Sequence, residues 1–239
     1  MAAPKRSILS LAVVLAFSGA GLFAAPTGGI FGYLAHPVAL CPGMGGLYVV
    51  NLDPYAGVGS TDLITNTVDV GLVYPVARIS ALSFDFEPTA TFYYSTYGWS
   101  EANKAVPIDP MWRDVYMFGL VLDFPVTFTV PIGARFAFSA GLGPAFDLRV
   151  GLNADPTSVT AATVDDINSY FWSQGRFFLP STLLRFSYKV NDRFAFDLDA
   201  RAYWPIFNFW AGDGLGFFDQ AIFGIRLSAR IALPKPKSD

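Results

Sequence analysis

The chain has 239 residues, of which 53% are hydrophobic and only 15% charged, and its formal net charge is -3. Its mean hydropathy of +0.40 is high for a soluble protein, yet past the N-terminus no apolar run reaches the 18 or so residues of a membrane helix without a charge or proline inside it. There is no basic stripe for nucleic acid, and a single cysteine and a single histidine rule out an internal disulfide and make a poor metal-ligand set.

Lys5 and Arg6 precede an apolar stretch from Ile8 to Phe17 and then Ser18, Gly19, Ala20 and Gly21. This is the layout of a secretory signal peptide. Residues 1–25 are assigned to it, with cleavage after Ala20, Gly21 or Ala24 left open. The apolar core is short for the other reading, a helical anchor. Removal of this segment moves the charge to about -5. Residues 26–46, rich in Gly and Pro, are read as a periplasmic N-terminal segment. It holds His36, taken as structural, and Cys41, whose neighbour Leu40 is large where a lipidation site needs a small residue; a buried or idle thiol is expected.

Eight strand candidates follow between residues 47 and 233, the last six residues, 234–239, forming a periplasmic tail. The first, Leu47 to Val58, and the second, Leu63 to Tyr74, are thinned by Pro54 and Gly71, and Pro75 opens a short connection. The third, Ile79 to Tyr97, places Leu82, Phe84, Phe86, Phe92 and Tyr94 opposite Ser83, Asp85, Glu87, Thr89 and Thr91. The fourth and fifth form a hairpin from Trp112 to Leu152 around Val130-Pro131-Ile132-Gly133. Tyr116, Phe118, Leu120, Leu122, Phe124, Val126 and Phe128 share one parity, and Phe136, Phe138, Ala140, Leu142, Phe146, Leu148 and Val150 another. Period-two alternation over roughly 18 residues marks strands far longer than the usual 5 to 6. An acidic loop, Asn153 to Ser169, precedes the sixth strand, Phe171 to Val190. Asn191-Asp192 turns into the seventh, Arg193 to Phe209, and Gly212-Asp213-Gly214 into the eighth, Phe217 to Leu233.

Connections after strands two, four and six are short, and those after three and five run to about 14 and 17 residues, as in outer-membrane barrels with short periplasmic turns and long outer loops. Trp99, Trp112, Trp172, Trp204 and Trp210 all fall at strand ends on the outer side, joined by Tyr93, Tyr94, Tyr97, Tyr116 and Tyr170; Phe128, Phe136, Phe186, Tyr188 and Phe194 fall at the inner ends. Two such aromatic girdles belong at two membrane interfaces. The expected fold is therefore all-β: an eight-stranded antiparallel up-and-down transmembrane β-barrel.

Signal peptide, alternating strands, short inner turns and aromatic rims together resemble the small bacterial outer-membrane barrels related to OmpW, OmpX and the OmpA membrane domain. The wording of Arg176 to Ser181, Trp204 to Trp210 and Phe217 to Leu233 also resembles spirochaete outer-membrane proteins of that shape. The resemblance implies bacterial outer-membrane location, with lipid and the barrel-assembly machinery as partners. That family usually ends on an aromatic residue, whereas this last strand ends at Leu233 before Pro234.

The inward parity carries Asp85, Glu87, Asp123, Asp147, Asp197 and Asp199 against Arg113, Arg135, Arg149, Arg185, Lys189, Arg201, Arg226 and Arg230. Eight strands leave a bore just wide enough for side chains, and buried charges must pair or stay hydrated. A salt-bridged lumen with a mainly structural role is the simplest reading. OmpW resemblance implies the alternative, a narrow channel or lateral conduit for small hydrophobic solutes, lined by Met117, Phe177, Leu179 and Leu183. A second alternative is an adhesin or interaction protein acting through the outer loops. Barrel enzymes of acyl or phospholipid chemistry use a histidine near the outer rim; His36 precedes the barrel on the inner side, so no enzyme, catalytic residue, metal or cofactor is expected. Asp197 and Asp199 share a face, but ion pairing explains them more simply than acid/base work.

Overall fold

The computed structural model describes residues 36–51, 64–100, 104–107, 113–153, 161–212, 214 and 216–234. The stretch 1–25 read as a signal peptide and nearly all of the tail at 234–239 lie outside them. Among these residues the strands are β1 Ala39–Val49, β2 Ile64–Ile79, β3 Leu82–Phe86, β4 Thr89–Ser100, β5 Lys104–Pro107, β6 Val115–Asp123, β7 Val126–Ile132, β8 Phe136–Gly143, β9 Ala145–Asn153, β10 Ser181–Lys189, β11 Phe194–Tyr203 and β12 Ile222–Ala232, and the α-helix is α1, Ala161–Trp172.

All but β5 make the wall, as eight strands. β3 with β4, β6 with β7, and β8 with β9 are each one long strand, interrupted at Pro88, Pro125 and Pro144 because proline has no N–H for the ladder. The proline carbonyls stay paired: Glu87 N–H donates to Pro125 (3.0 Å), Phe124 N–H to Pro144 (3.0 Å) and Leu72 N–H to Pro88 (2.9 Å). β5 is a spur paired only with β4, and β1 pairs with both β2 and β12, so the sheet closes on itself. Following partners from Tyr48 leads through Phe223, Ala202, Thr182, Leu142, Val126, Phe86 and Tyr74, whose neighbour Val73 is back on β1 at Ala39. One circuit thus descends about ten residues along the strand, the stagger that tilts strands in a closed barrel.

The alternation fixes the two faces. In β2, Thr65, Thr67, Asp69 and Val73 are buried toward the axis while Ile64 (72% exposed) and Val68 (66%) point out. Leu142, Leu198, Leu227 and Ile225 continue this outward apolar surface, far more contiguous than a water-facing surface tolerates. Toward the foot, Phe136 packs on Phe186 (5.4 Å) and Tyr188 (5.2 Å), and Phe84 on Phe128 (6.0 Å). Among the described residues no helix is long and apolar enough to cross a membrane; the strands do so.

The structure moves several boundaries. The first strand is Ala39–Val49, not Leu47 to Val58, so part of the stretch read as a periplasmic segment is barrel wall. Its Gly-rich run hides the period, and Pro42 is tolerated because the β12 ladder skips there, from Leu40↔Ile231 to Gly43↔Ser228, while the β2 ladder continues. The second strand runs through Pro75, with a bulge between Pro75 and Ala77, and turns only at 80–81. Of the loop from Asn153 to Ser169, residues 161–169 belong to α1, which continues to Trp172, so the sixth strand starts at Ser181 and not at Phe171. The seventh ends at Tyr203 before a short 3-10 turn, Ile206–Phe209, beyond Pro205, and the eighth starts at Ile222.

Among the described residues β9 has no strand on its far edge above the single bridge between Phe146 and Phe178. Helix α1 covers it. Asn168 acts as a peptide group in place of a strand: its Oδ1 accepts from Gly151 N–H (2.7 Å) and its Nδ2 donates to Gly151 O (3.2 Å), while Trp172 Nε1 donates to Arg149 O (2.9 Å).

Candidate functional site in the barrel lumen

The barrel axis holds a group of four carboxylates and four guanidiniums: Glu87, Asp123, Asp197 and Asp199 with Arg185, Arg201, Arg226 and Arg230. Each reaches the axis because its strand alternates in register; Asp197, Asp199 and Arg201 are successive inward positions of β11, and Arg226 and Arg230 inward positions of β12. Asp199 accepts from Arg185 Nε (2.6 Å), Arg226 Nη2 (2.7 Å) and Arg201 Nη2 (3.3 Å). Arg201 Nη1 also donates to Asp123 (2.6 Å), which accepts from Ser181 Oγ (2.6 Å). Arg185 meets Glu87 as well, and Arg230 joins Asp197 (2.9 Å) to Glu87 (3.5 Å).

These bonds cross the bore. Glu87 and Arg185, Asp123 and Arg201, and Arg230 and Glu87 stand on wall strands three places apart in the eight-strand ring, so each pair braces opposite walls. The group is formally neutral, which lets it exist away from water; an unbalanced charge there would cost several kcal/mol.

Higher up, Arg149 pairs with Asp147, and Tyr93 O–H donates to Asp147 (2.9 Å) while accepting from Arg149 Nε (3.1 Å). Tyr93 lies across Gly119, its cross-strand partner, where an added Cβ would sit 1.9 Å from the ring. Above this lies an apolar lid: Tyr97, Val115, Met117, Ile167, Tyr170 and Phe171 form one buried cluster. Arg149 stacks on Phe171 (4.4 Å), Arg176 on Tyr170 (4.1 Å), and Gln220 Nε2 donates to Tyr170 Oη. The bore between Asp69, Thr91 and Arg226 has a cavity of only about 10 Å³, near the minimum for one water.

The expected charge set is thus divided. Glu87, Asp123, Arg185, Asp197, Asp199, Arg201, Arg226 and Arg230 form one network, and Asp147 with Arg149 a second pair. Asp85 is near the foot and accepts from Ser83 Oγ (3.3 Å). Two residues fall outside. Arg113 precedes β6 and stacks on Tyr116 at 4.5 Å, and Arg135 sits in the inner turn, donating to Tyr188 Oη (3.3 Å). Arg113 lies past the strand end beside outward Tyr116, where parity no longer holds, whereas Arg135 keeps its inward parity and lines the foot of the lumen without joining either network. In the inner turn at 190–193, a hydrogen bond and the charge of Lys189 hold the Asp192 carboxyl below its ordinary range.

The tryptophans likewise need correction. Trp112 lies outside the described residues. Trp204 donates to Thr182 Oγ1 (3.2 Å) and packs on Phe223; Trp210 is exposed and donates to Gln174 O (2.8 Å). Trp172 is on α1 and not at a strand start, and Trp99 packs on Tyr170 (5.9 Å). Tyr93 and Tyr97 face the axis, since both hold inward parity in β4. Sequence reasoning missed Asp69, bound by Thr91 Oγ1 and Thr67 Oγ1, although Thr65, Thr67 and Asp69 already alternate. Met117, Leu179 and Leu183 are buried as filling and not as the lining of an open path; Phe177 packs on Trp172.

No family model matches the chain, and no curated protein matches it. Solved structures of similar outline include Neisserial surface protein A, 10% identical with a TM-score of 0.47, the match covering 82% of this chain and 96% of that one. The attachment invasion locus protein Ail of Yersinia pestis is 8% identical at a TM-score of 0.45, covering 82% and 97%. The outer membrane enzyme PagL is 11% identical at a TM-score of 0.44, covering 82% and 99%. At this level of likeness the comparisons carry no argument; the barrel rests on the closed hydrogen-bonded ring.

Proposed function

We propose that this chain is an integral protein of the bacterial outer membrane whose barrel serves mainly as a rigid, internally braced wall, in contact with lipid and delivered by the barrel-assembly machinery. The observation that carries this reading is the neutral cross-lumen group centred on Arg185 and Asp199, sealed above by the Tyr97, Tyr170 and Phe171 lid. An ion entering that path meets paired charges and an apolar lid, with no continuous polar lining. Catalysis forms no part of the proposal. The test is conductance of the purified chain in planar bilayers together with envelope fractionation. The reading expects outer-membrane recovery, slower migration after boiling and no discrete current steps; steady steps under ordinary salt would overturn the plug.

A second reading, a lateral conduit for small apolar solutes, is favoured by one feature: the wall beside β9 is closed by α1 and side-chain hydrogen bonds, not by a strand ladder. Met117 packs behind that seam with Ile167 and Tyr170, and Leu179 pairs with Ala145 at its lower end. Vesicles carrying the chain would then pass an apolar dye faster than empty ones while a charged dye is retained; equal rates for both dyes with and without protein would exclude it.

A further inference from the structure

The foot of the barrel holds a feature that the plug does not explain. Below the ion-paired group lies a cavity of about 380 Å³, within the range of small-ligand sites, about 300 to 1,000 Å³. Arg230, tied to Asp197 and Glu87, lines it beside that group. Arg78, Arg135 and Lys189 also line it, and Asp85 is the only carboxylate in the lining. With Arg230 already balanced within the neutral group, Arg78, Arg135 and Lys189 against Asp85 leave a positive bias, and Ser187 is one of several hydroxyls that add donors.

The cations are not equally committed. Lys189 is paired with Asp192 at the exposed rim (2.7 Å), an interaction that water leaves weak. Arg135 donates to a neutral hydroxyl, Tyr188 Oη. Arg78 makes no ion pair among the described residues, and it faces the cavity because of the bulge in β2. Val73 faces inward, and without the bulge between Pro75 and Ala77 the same parity would fall on Ala77; with it, Arg78 takes the inward place opposite Ser83. Bulges commonly re-aim a side chain in this way.

We propose that this cavity binds a phosphate-type anion, held by the guanidinium forks of Arg78 and Arg135 with Lys189 and Arg230 supplying charge. Guanidinium matches phosphate oxygens two at a time, which a spherical halide would not exploit. Free phosphate esters and the phosphate of an anionic lipid headgroup at the surrounding interface share this chemistry. The site depends on the outer-membrane reading only for the compartment it faces, so binding in detergent and location in the cell can fail separately.

The test is calorimetric titration of inorganic pyrophosphate into the refolded full chain in zwitterionic detergent. Saturable one-to-one heat is expected, weakened roughly tenfold or more in R78Q/R135Q, as for loss of charge-assisted hydrogen bonds. D85N, which removes the only carboxylate lining the cavity, should tighten binding severalfold. Slow migration after boiling reports folding, and if the double variant does not fold, R78Q alone and D85N should still move affinity in opposite directions. Repeating the titration in phosphatidylglycerol and phosphatidylcholine discs separates the sources: heat lost only in the former supports a lipid headgroup, heat kept in both supports a soluble phosphate. No saturable heat in the parent, or equal affinity in parent and arginine variants, overturns the proposal.

Discussion

Arg185→Leu removes a guanidinium whose side chain is 1% exposed and which touches Glu87 across the bore and Asp197 and Asp199 on the adjacent strand β11. The four-to-four balance becomes four carboxylates against three arginines, and Glu87 keeps a 3.5 Å ion pair with Arg230 and a 2.9 Å hydrogen bond from Thr127 Oγ1. Breaking one buried pair typically costs about 3 to 5 kcal/mol because the partner is left desolvated and unpaired, and Arg185 serves more than one partner, so a loss of about 4 kcal/mol or more is expected. Glu87→Gln should cost less, about 2 kcal/mol, since Arg185 retains Asp199 and the amide still accepts a hydrogen bond. Combining Arg185→Leu with Glu87→Leu restores neutrality, so the double variant should recover about 2 kcal/mol relative to the sum of the singles. Reversible urea unfolding in lipid vesicles, followed by tryptophan fluorescence, measures these three and the single Glu87→Leu that closes the cycle. If Arg185→Leu cost less than about 0.5 kcal/mol, or the cycle were additive, the claim that opposite walls are braced by charge would fail.

Gly119→Ala would place a Cβ 1.9 Å from Tyr93; the ring must leave Asp147 and Arg149, with a loss of about 1 to 3 kcal/mol and a changed near-ultraviolet dichroism. Asn168→Ala strips both backbone groups of Gly151 of their side-chain partner, so a loss of about 1 to 2 kcal/mol and faster protease cutting near α1 are expected, without effect on the foot of the barrel. The Cys41 thiol is buried in β1 beside Val73; maleimide should label it only on unfolding, and rapid labelling of folded protein would move β1 out of the wall.

Parity is a local property, so the chain alone determined most of the barrel. Runs such as Tyr116 to Val130 and Phe136 to Val150 place one face in lipid and the other at the axis, and Glu87, Asp123, Arg185 and Asp199 follow from it residue by residue. The rule failed where its premise did. Arg113 lies beyond a strand end, β1 carries too many glycines to show a period, and the bulge at Pro75 to Ala77 reverses the parity and turns Arg78 from the outer face to the axis. Helix α1 was missed because its buried positions, Ile167, Tyr170 and Phe171, meet Tyr97 and Met117 from distant strands. Only the tertiary structure decided which arginine meets which carboxylate. Glu87 and Arg185 are 98 residues apart, and it is the closure of the ring with its stagger that sets them across the same bore, a choice no local stretch of sequence contains.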